Sequence, residues 1–267
     1  MYRKVVVLYP IVMNWKYAVS ALLLIYSMNA SGQSHSLWIG GGVTIEALRD
    51  EGYSPLLYSG AGLTGLIGYQ ITSAKRETIW LLSYGNIKTS NRFDRELTAT
   101  SIGLLNLNFY KREDAHLIWG WANNNGFHQR FIDGFSNFNG RTEFFTSLGP
   151  AVKYERDITV KNQRFTVQTI SQLQLIGFYL PSGYVTSQPG GFSYEPSGGL
   201  KSFWESIYLF YPGNSWNASF WPRVDWHLSS GNSISLNYLY EYSRFSGAQM
   251  HERSSGIWFL TLNMLLR

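Results

Sequence analysis

Two long rows of alternating apolar residues stand near the C-terminus of this chain. The first row consists of Trp216, Ala218, Phe220, Pro222, Val224, Trp226 and Leu228. The second row consists of Trp258, Leu260, Leu262, Met264 and Leu266. An apolar period of two residues indicates an extended strand with one apolar face and one mostly polar face. These segments therefore predict long β-strands, and the next question is what covers their apolar faces.

The length and the aromatic content of these rows favour lipid over a protein core. A tilted strand that spans a membrane needs about 9–11 residues, and both segments are long enough. The whole chain is 16% aromatic and only 15% charged, with 26 glycines. Barrels that span a membrane carry an outward apolar band with aromatic girdles at both interfaces. A soluble lipocalin-like or sandwich fold is the alternative, and the many large aromatics on one face count against it.

Residues 1–32 have the pattern of a secretory signal. Lys16 supplies the positive charge, 18–26 is a short apolar run, and small residues at 30–32 favour cleavage before Gln33. Met13 is an alternative start, because residues 1–10 add a basic and apolar stretch that a signal does not need. We therefore expect residues 1–32 to be a signal peptide and residues 33–267 to form a single, monomeric barrel.

The charge distribution and the absence of cysteine exclude several classes of function. The net charge is +5, but Arg3, Lys4 and Lys16 all fall in the predicted signal, and the other positive residues are scattered. We therefore expect no nucleic acid partner. The chain has no cysteine, so disulfide and thiol chemistry are excluded.

Alternation and turn residues predict ten antiparallel strands. Their ranges are 36–48, 55–72, 77–90, 95–111, 115–123, 141–156, 163–180, 214–229, 232–245 and 254–267. Mostly short connections alternate with longer ones, such as 124–140 and 181–213, which is the pattern of periplasmic turns and extracellular loops. Residues 201–211 are apolar on both faces, so they form a loop helix, a strand extension or a hairpin. A hairpin within the barrel wall would raise the count to twelve.

The combination of signal, alternating strands, aromatic girdles and unequal turns resembles the small outer-membrane β-barrel class. That class includes the eight-stranded OmpA and OmpX type, the ten-stranded omptin proteases and the twelve-stranded phospholipases. The resemblance is architectural, because no family motif is matched. It implies an all-β, up-and-down transmembrane barrel in the outer membrane of a Gram-negative bacterium, in contact with lipid and lipopolysaccharide.

Strand parity predicts which polar side chains point into the barrel. The predicted polar network of the lumen comprises Glu143, Lys153, Arg164, Arg223, Asp225 and Glu241. Arg223 is expected diagonal to Glu241, with Asp225 nearby, so that the two form an interior ion pair. Buried charges must pair, which makes a structural network the first interpretation and a polar relay or narrow pore the second.

Candidate catalytic residues are His128, Asp133 and His251, which are expected at the extracellular rim. A lone histidine or aspartate in a loop is more often a solvated polar residue, and no omptin motif aligns with them. The five histidines show no metal-ligand spacing. We therefore expect no metal and no cofactor.

Aromatic residues in the two longest predicted loops form the other candidate site. Phe131, Phe135, Tyr194 and Trp204 are expected to be loop contacts, because exposed aromatics rimmed by polar residues mark contact surfaces. The alternative is that these loops fold inward and plug the barrel.

Together these observations predict a non-enzymatic outer-membrane barrel. Its expected role is either surface-loop binding of an envelope protein or glycan, as a scaffold, or porin-like transport of small solutes. The alternative is an outer-membrane hydrolase, either a lipase or deacylase or an omptin-like protease, with catalytic residues at the rim.

Overall fold

The computed structural model describes residues 33–51, 54–112, 115–132, 140–180, 207–246 and 250–266, which form twelve β-strands. The strands are β1 Ser34–Asp50, β2 Ser54–Thr72, β3 Arg76–Ser90, β4 Glu96–Tyr110, β5 Leu117–Ile132, β6 Gly140–Val160, β7 Gln163–Gln174, β8 Ile176–Leu180, β9 Tyr208–Phe210, β10 Ser215–His227, β11 Ser233–Ser246 and β12 Met250–Leu266. No helix in these ranges is long and apolar enough to cross a membrane. The predicted signal, residues 1–32, lies outside the described residues.

Ten of these strands close into a ring. Their order is β5-β4-β3-β2-β1-β12-β11-β10-β7-β6, and pairing of β5 with β6 completes the circle. All pairings within the ring are antiparallel. The prediction of an all-β antiparallel barrel of ten strands is therefore confirmed.

Two short strands lie outside this ring. β8 follows β7 after Leu175 and pairs with β6, and β9 pairs in turn with β8. Residues 208–210 of the ambiguous segment 201–211 are thus extended, while 201–206 lie outside the described residues. For the described residues, the alternative of a twelve-stranded wall is wrong. β8 and β9 extend the sheet, but the barrel is closed by the other ten strands.

The connections divide between two ends of the barrel, which we name the turn end and the loop end. The turn end holds the β2–β3, β4–β5, β6–β7 and β10–β11 connections, and the loop end holds the others. At the turn end Lys161 and Asn162 both have positive φ, as a two-residue hairpin turn matched to strand twist requires.

The predicted loop 124–140 is wrong over its first half. β5 runs to Ile132 and β6 begins at Gly140, so only 133–139 connect them. Residues 124–131 contain asparagine, glycine and glutamine, which favour turns in isolation. Here Asn124 to Phe131 pair with β4 and β6 on both sides, and these ladders hold the segment extended.

The outward face of the barrel is apolar. Trp216, Phe220, Trp258 and Leu260 are 47%, 47%, 52% and 58% exposed, whereas the residues between them point inward. Trp80, Tyr84, Trp119 and Tyr154 continue this exposed aromatic surface on other strands. A surface of this composition is stable against hydrocarbon rather than water, so the molecule is a membrane-spanning barrel of the outer-membrane type.

Apolar side chains also fill the middle of the lumen. Every strand of the ring contributes to this apolar layer, which comprises Trp38, Leu66, Ile79, Leu81, Leu105, Leu107, Phe109, Ile118, Ala122, Ala151, Ile170, Trp221, Leu239, Ile257 and Phe259. Each of them is at most 8% exposed. The barrel therefore has an apolar core inside as well as an apolar surface outside, and polar groups lie on either side of that layer.

Candidate functional site

A polar network lies on the turn-end side of the apolar layer, and its centre is Asp225. Arg223 Nε donates to Asp225 Oδ1 at 2.5 Å, and Gln168 Nε2 donates to Asp225 Oδ2 at 2.7 Å. The Ser235 hydroxyl donates to the same carboxylate. Arg223 also stacks its guanidinium on the Trp38 ring, 4.0 Å from the ring centroid. This buried carboxylate thus accepts three hydrogen bonds, one of them from a cation.

The predicted Arg223–Glu241 pair is wrong. Arg223 lies opposite Asn237, and Glu241 lies opposite Ser219, four residues further along β11. A diagonal contact with Glu241 would have needed Arg223 opposite Leu239, so the observed register differs from the expected one by two residues. Glu241 instead accepts a hydrogen bond from Ser255 Oγ at 3.4 Å.

Lys153 forms a second buried ion pair on the same side of the apolar layer. Its Nζ lies 2.7 Å from Glu77 Oε1 and 2.6 Å from Glu155 Oε2. The Lys153 and Glu77 side chains are 2% and 4% exposed, whereas that of Glu155 is 47% exposed. Glu77 therefore compensates the buried ammonium, and Glu155 extends the pair toward the turn-end opening.

Arg164 lies at that opening rather than inside the lumen. Its Nη2 pairs with Asp157 Oδ2 at 2.6 Å, with both side chains at least half exposed. Arg164, Asp157, Arg223 and Asp225 line one cavity of about 250 Å³ at this end. β7 begins at Gln163, so Arg164 is too close to the strand end to be covered by neighbours.

A second polar network, which we name the loop-end cluster, comprises Asp50, Arg130, Glu143, Tyr179 and His251. Arg130 Nη1 lies 3.1 Å from Asp50 Oδ2, and Nη2 lies 2.8 Å from Glu143 Oε2. Nη2 also lies 2.8 Å from His251 Nε2, and Tyr179 donates its hydroxyl to Glu143 Oε1 at 2.8 Å. The guanidinium is 1% exposed. One guanidinium thus contacts two buried carboxylates and a histidine ring.

The loop-end cluster contains three groups of the kind that bind metal ions. One ligand atom each of Asp50, Glu143 and His251 lies within 4.8 Å of the other two, and all three residues are buried. Arg130 already contacts each of these groups. The positive charge of the guanidinium among these three groups disfavours a metal cation at the same position.

Aromatic rings pack around the loop-end cluster. Tyr179 stacks on Phe245 with ring centroids 4.4 Å apart and an interplanar angle of 3°. Phe145 packs against Phe245 on one side and stacks with His128 on the other, at 6.0 and 5.6 Å. His128 and Phe145 also line a lumen cavity of about 60 Å³, between the cluster and the apolar layer. This packing excludes bulk water from the cluster.

The structure places the two candidate catalytic histidines within strands of the barrel. His128 lies within β5 and stacks in the lumen, so its predicted loop position is wrong. His251 is buried at the start of β12, and its Nε2 faces Arg130. Asp133 lies outside the described residues. His128 therefore packs against a lumen aromatic, and His251 belongs to the loop-end cluster.

Of the candidate loop aromatics, only Phe131 falls in the described part of the chain. It lies on the outward face of β5 and is 44% exposed, so its assignment to a loop is wrong. The cause is the extension of β5 through Ile132. Phe135, Tyr194 and Trp204 lie outside the described residues, and their role stays a prediction.

Sequence reasoning missed Asp50, Glu77 and Arg130. Glu77 shares inward parity with Ile79 and Leu81, so the predicted strand 77–90 already contained the signal. The predicted strand ended at residue 123, so strand parity gave no direction for Arg130. Only the longer β5 of the structure includes Arg130 and points it inward. The apolar layer also had a signal, because 79–82 and 104–105 are apolar on both strand faces, as in strands buried on both sides.

Comparisons with known proteins add only distant similarity in fold. No protein-family model matches the chain, and no curated protein matches it. The transport unit of the autotransporter AIDA-I from Escherichia coli is 13% identical, with 94% of this chain and 97% of that chain covered and a TM-score of 0.41. The β domain of the Bordetella autotransporter BrkA is 10% identical, with 89% of this chain and 100% of that chain covered and a TM-score of 0.41. A Pseudomonas aeruginosa FadL homologue is 9% identical, with 87% of this chain and 90% of that chain covered and a TM-score of 0.30. Similarity at this level carries no function to the present chain.

Proposed function

We propose that this protein is a plugged, non-enzymatic barrel in the outer membrane of a Gram-negative bacterium, which acts as an anchored scaffold for binding at its loop end. The observation that carries the proposal is the apolar layer, to which every ring strand contributes. A hydrated ion that entered the lumen would lose its water there and meet no polar partner, at a cost of several kcal/mol. The layer therefore supports binding over transport.

The buried polar networks support a static role. Arg130 and Lys153 are each held by two acidic groups, and Asp225 accepts hydrogen bonds from three side chains. Moving any of these charges would expose an uncompensated partner in a low-dielectric interior. The networks on both sides of the apolar layer therefore favour a rigid lumen that positions the loops.

Exposed aromatics at the loop end are the surface that we assign to binding. Phe93 in the β3–β4 connection is 60% exposed, and Tyr211, which follows β9, is 50% exposed. Aromatic side chains bury much area at little entropic cost, which suits contact with an envelope protein or a surface glycan. Phe135, Tyr194 and Trp204 belong to the same proposed surface.

Basic residues at the outward rim fit the lipid that surrounds such a barrel. Arg49, Glu252 and Arg244 are successive cross-strand neighbours on β1, β12 and β11, so two guanidiniums flank one carboxylate. Guanidinium groups bind phosphate in a bidentate manner. We assign this row to the phosphate groups of lipopolysaccharide.

Conductance of the refolded protein in a planar bilayer tests the plugged state. We expect no steady conductance, and we expect Arg223→Ala to stay equally silent because the apolar layer still closes the lumen. Heat-modifiable migration in gels provides the control that the barrel has folded and inserted. A steady conductance that changes in Arg223→Ala would mean an open, charge-lined lumen and would overturn the proposal.

A further inference from the structure

Four asparagines interrupt the apolar outward face of the barrel. Asn106 and Asn108 lie on β4, and Asn123 and Asn125 lie on β5. They share strand parity with the outward-facing Leu104, Tyr110, Trp121 and Phe127, which are all exposed. Asn106 is covered by its neighbours and is 4% exposed, whereas Asn108, Asn123 and Asn125 are half-buried. We name these four residues the asparagine patch. Amide side chains are energetically unfavourable at lipid-facing positions. The asparagine patch is therefore expected to have a functional role or a binding partner.

The asparagine patch lies in the middle of the apolar surface rather than at its edge. Along β5, Trp119 and Trp121 flank it toward the turn end, and Phe127 flanks it toward the loop end. Across the strands, Asn106 pairs with Trp80 and Asn123, and Asn125 pairs with Leu104. Apolar residues thus flank the patch along β5 and lie beside Asn106 and Asn125 on the neighbouring strands, which places it within the apolar band.

The four amides are linked within each strand. Asn108 Nδ2 donates to Asn106 Oδ1 at 2.7 Å, and Asn125 Nδ2 donates to Asn123 Oδ1 at 2.6 Å. Threonines continue both rows, because Thr78 donates to Asn108 Oδ1 at 2.9 Å and Thr146 donates to Asn125 Oδ1 at 2.7 Å. These bonds lower the cost of the patch in lipid without removing it.

Hydrogen-bonding capacity remains on the asparagine patch. A primary amide offers two N–H donors and two acceptor lone pairs. Within the described part of the chain, Asn108 and Asn123 each donate one hydrogen bond, to Asn106 Oδ1 and to Ser147 O. Lipid tails cannot bond the second hydrogen of either amide, whereas another protein surface at the same depth can.

A second copy of this chain is the partner that the chemistry fits best. The patch contains no ionisable group, so it does not select a charged partner. Amides are donors and acceptors at once, so two identical patches are complementary across a two-fold axis. Two copies inserted in the same direction are related by a two-fold axis along the membrane normal. Each residue then lies at the same depth in both copies, so the two patches can face each other.

We propose that the protein forms a homodimer in the membrane through the outward face of β4 and β5, with the asparagine patch at the centre of the interface. Interchain hydrogen bonds from asparagine side chains stabilise association within membranes. Trp80 and Trp121, which are 44% and 37% exposed, supply apolar contact beside the amides. This interface goes beyond the proposed scaffold function and differs from the monomer expected from the sequence.

Site-specific photocrosslinking in cells tests the homodimer. The full chain, carrying p-benzoylphenylalanine in place of Trp121, is expressed together with a second copy that has a different tag. We expect irradiation to yield a crosslinked product that contains both tags. The matched control places the same photoreactive residue at Leu260, which is also lipid-facing but lies on β12. We expect little two-tag product from that position.

A second variant separates the interface from folding. We expect the double substitution Asn123→Leu and Asn125→Leu to lower the two-tag fraction roughly tenfold, because the interfacial amide bonds are lost. Heat-modifiable migration checks that this variant still folds, and native mass spectrometry of the wild type measures the dimer directly. Crosslinks to another protein or to lipid alone, equal products from both positions, or a monomeric wild-type mass would each overturn the proposal.

Discussion

At the scale of the residue, Arg130 has the largest electrostatic role in the loop-end cluster. It is 1% exposed and contacts Asp50, Glu143 and His251, which come from three different strands. A buried ion pair adds little net stability, because desolvation offsets the attraction, but breaking it leaves an uncompensated charge. The cluster therefore stabilises one particular packing of the loop end.

Replacing Arg130 tests this dependence. We expect Arg130→Met to lower the free energy of unfolding by about 3–5 kcal/mol, because two buried carboxylates lose a direct cationic contact. Urea unfolding in lipid vesicles, followed by tryptophan fluorescence, measures the loss. The matched control is Arg164→Met, which removes a half-exposed pair with Asp157 and is expected to cost about 0–1 kcal/mol. Equal losses in the two variants would contradict the role of Arg130.

At the scale of the element, β1 depends on two of its three consecutive glycines. A Cβ at Gly40 would lie 2.2 Å from the Leu260 carbonyl oxygen, and one at Gly42 would lie 1.9 Å from that of Trp258. A Cβ at Gly41, on the opposite face, would meet only the Thr64 carbonyl oxygen at 3.5 Å. The close approach of β12 to β1 therefore requires glycine at alternate positions.

Alanine substitutions within this triplet provide an internally controlled test. We expect Gly42→Ala to lower the free energy of unfolding by about 1–3 kcal/mol, because β1 and β12 must move apart. Gly41→Ala adds the same methyl group on the lipid side and is expected to leave stability nearly unchanged. The measurement is again urea unfolding in vesicles. A larger loss of stability in Gly41→Ala than in Gly42→Ala would contradict the requirement for glycine on the inward face of β1.

At the scale of the whole molecule, the difference between the two ends predicts its orientation. The described turn-end connections include the two-residue turn Lys161–Asn162, whereas the loop end includes the 91–95 connection with the exposed Phe93. Barrels of the outer membrane have short periplasmic turns and longer extracellular loops. We therefore expect the loop end, which contains the loop-end cluster, to face the cell exterior.

Cysteine labelling checks this orientation, because the chain has no cysteine of its own. We expect Phe93→Cys to react with a membrane-impermeant maleimide in intact cells. The matched variant Ser230→Cys, in the exposed β10–β11 turn, is expected to react only after lysis. The opposite pattern would place the turn end outside and would move the proposed binding surface to the periplasm.

The sequence by itself determined the ten strands of the ring and the outward faces of β10 and β12. Alternation of apolar and polar residues is a local property, and a strand exposes alternate side chains whatever its neighbours are. Composition misled only where pairing outweighs it, as in β5, whose asparagines and glycines favour turns in isolation but extend between two strands.

Only the tertiary structure decided which inward side chains meet. Arg130 lies 80 positions from Asp50 and 121 from His251, and ring closure brings all three together. A shift of two residues in register separated Arg223 from Glu241 and left it paired with Asp225. Register and closure are long-range properties, because they depend on the packing of all ten strands around one lumen. The apolar layer, the buried ion clusters and the outward asparagine patch follow from that packing.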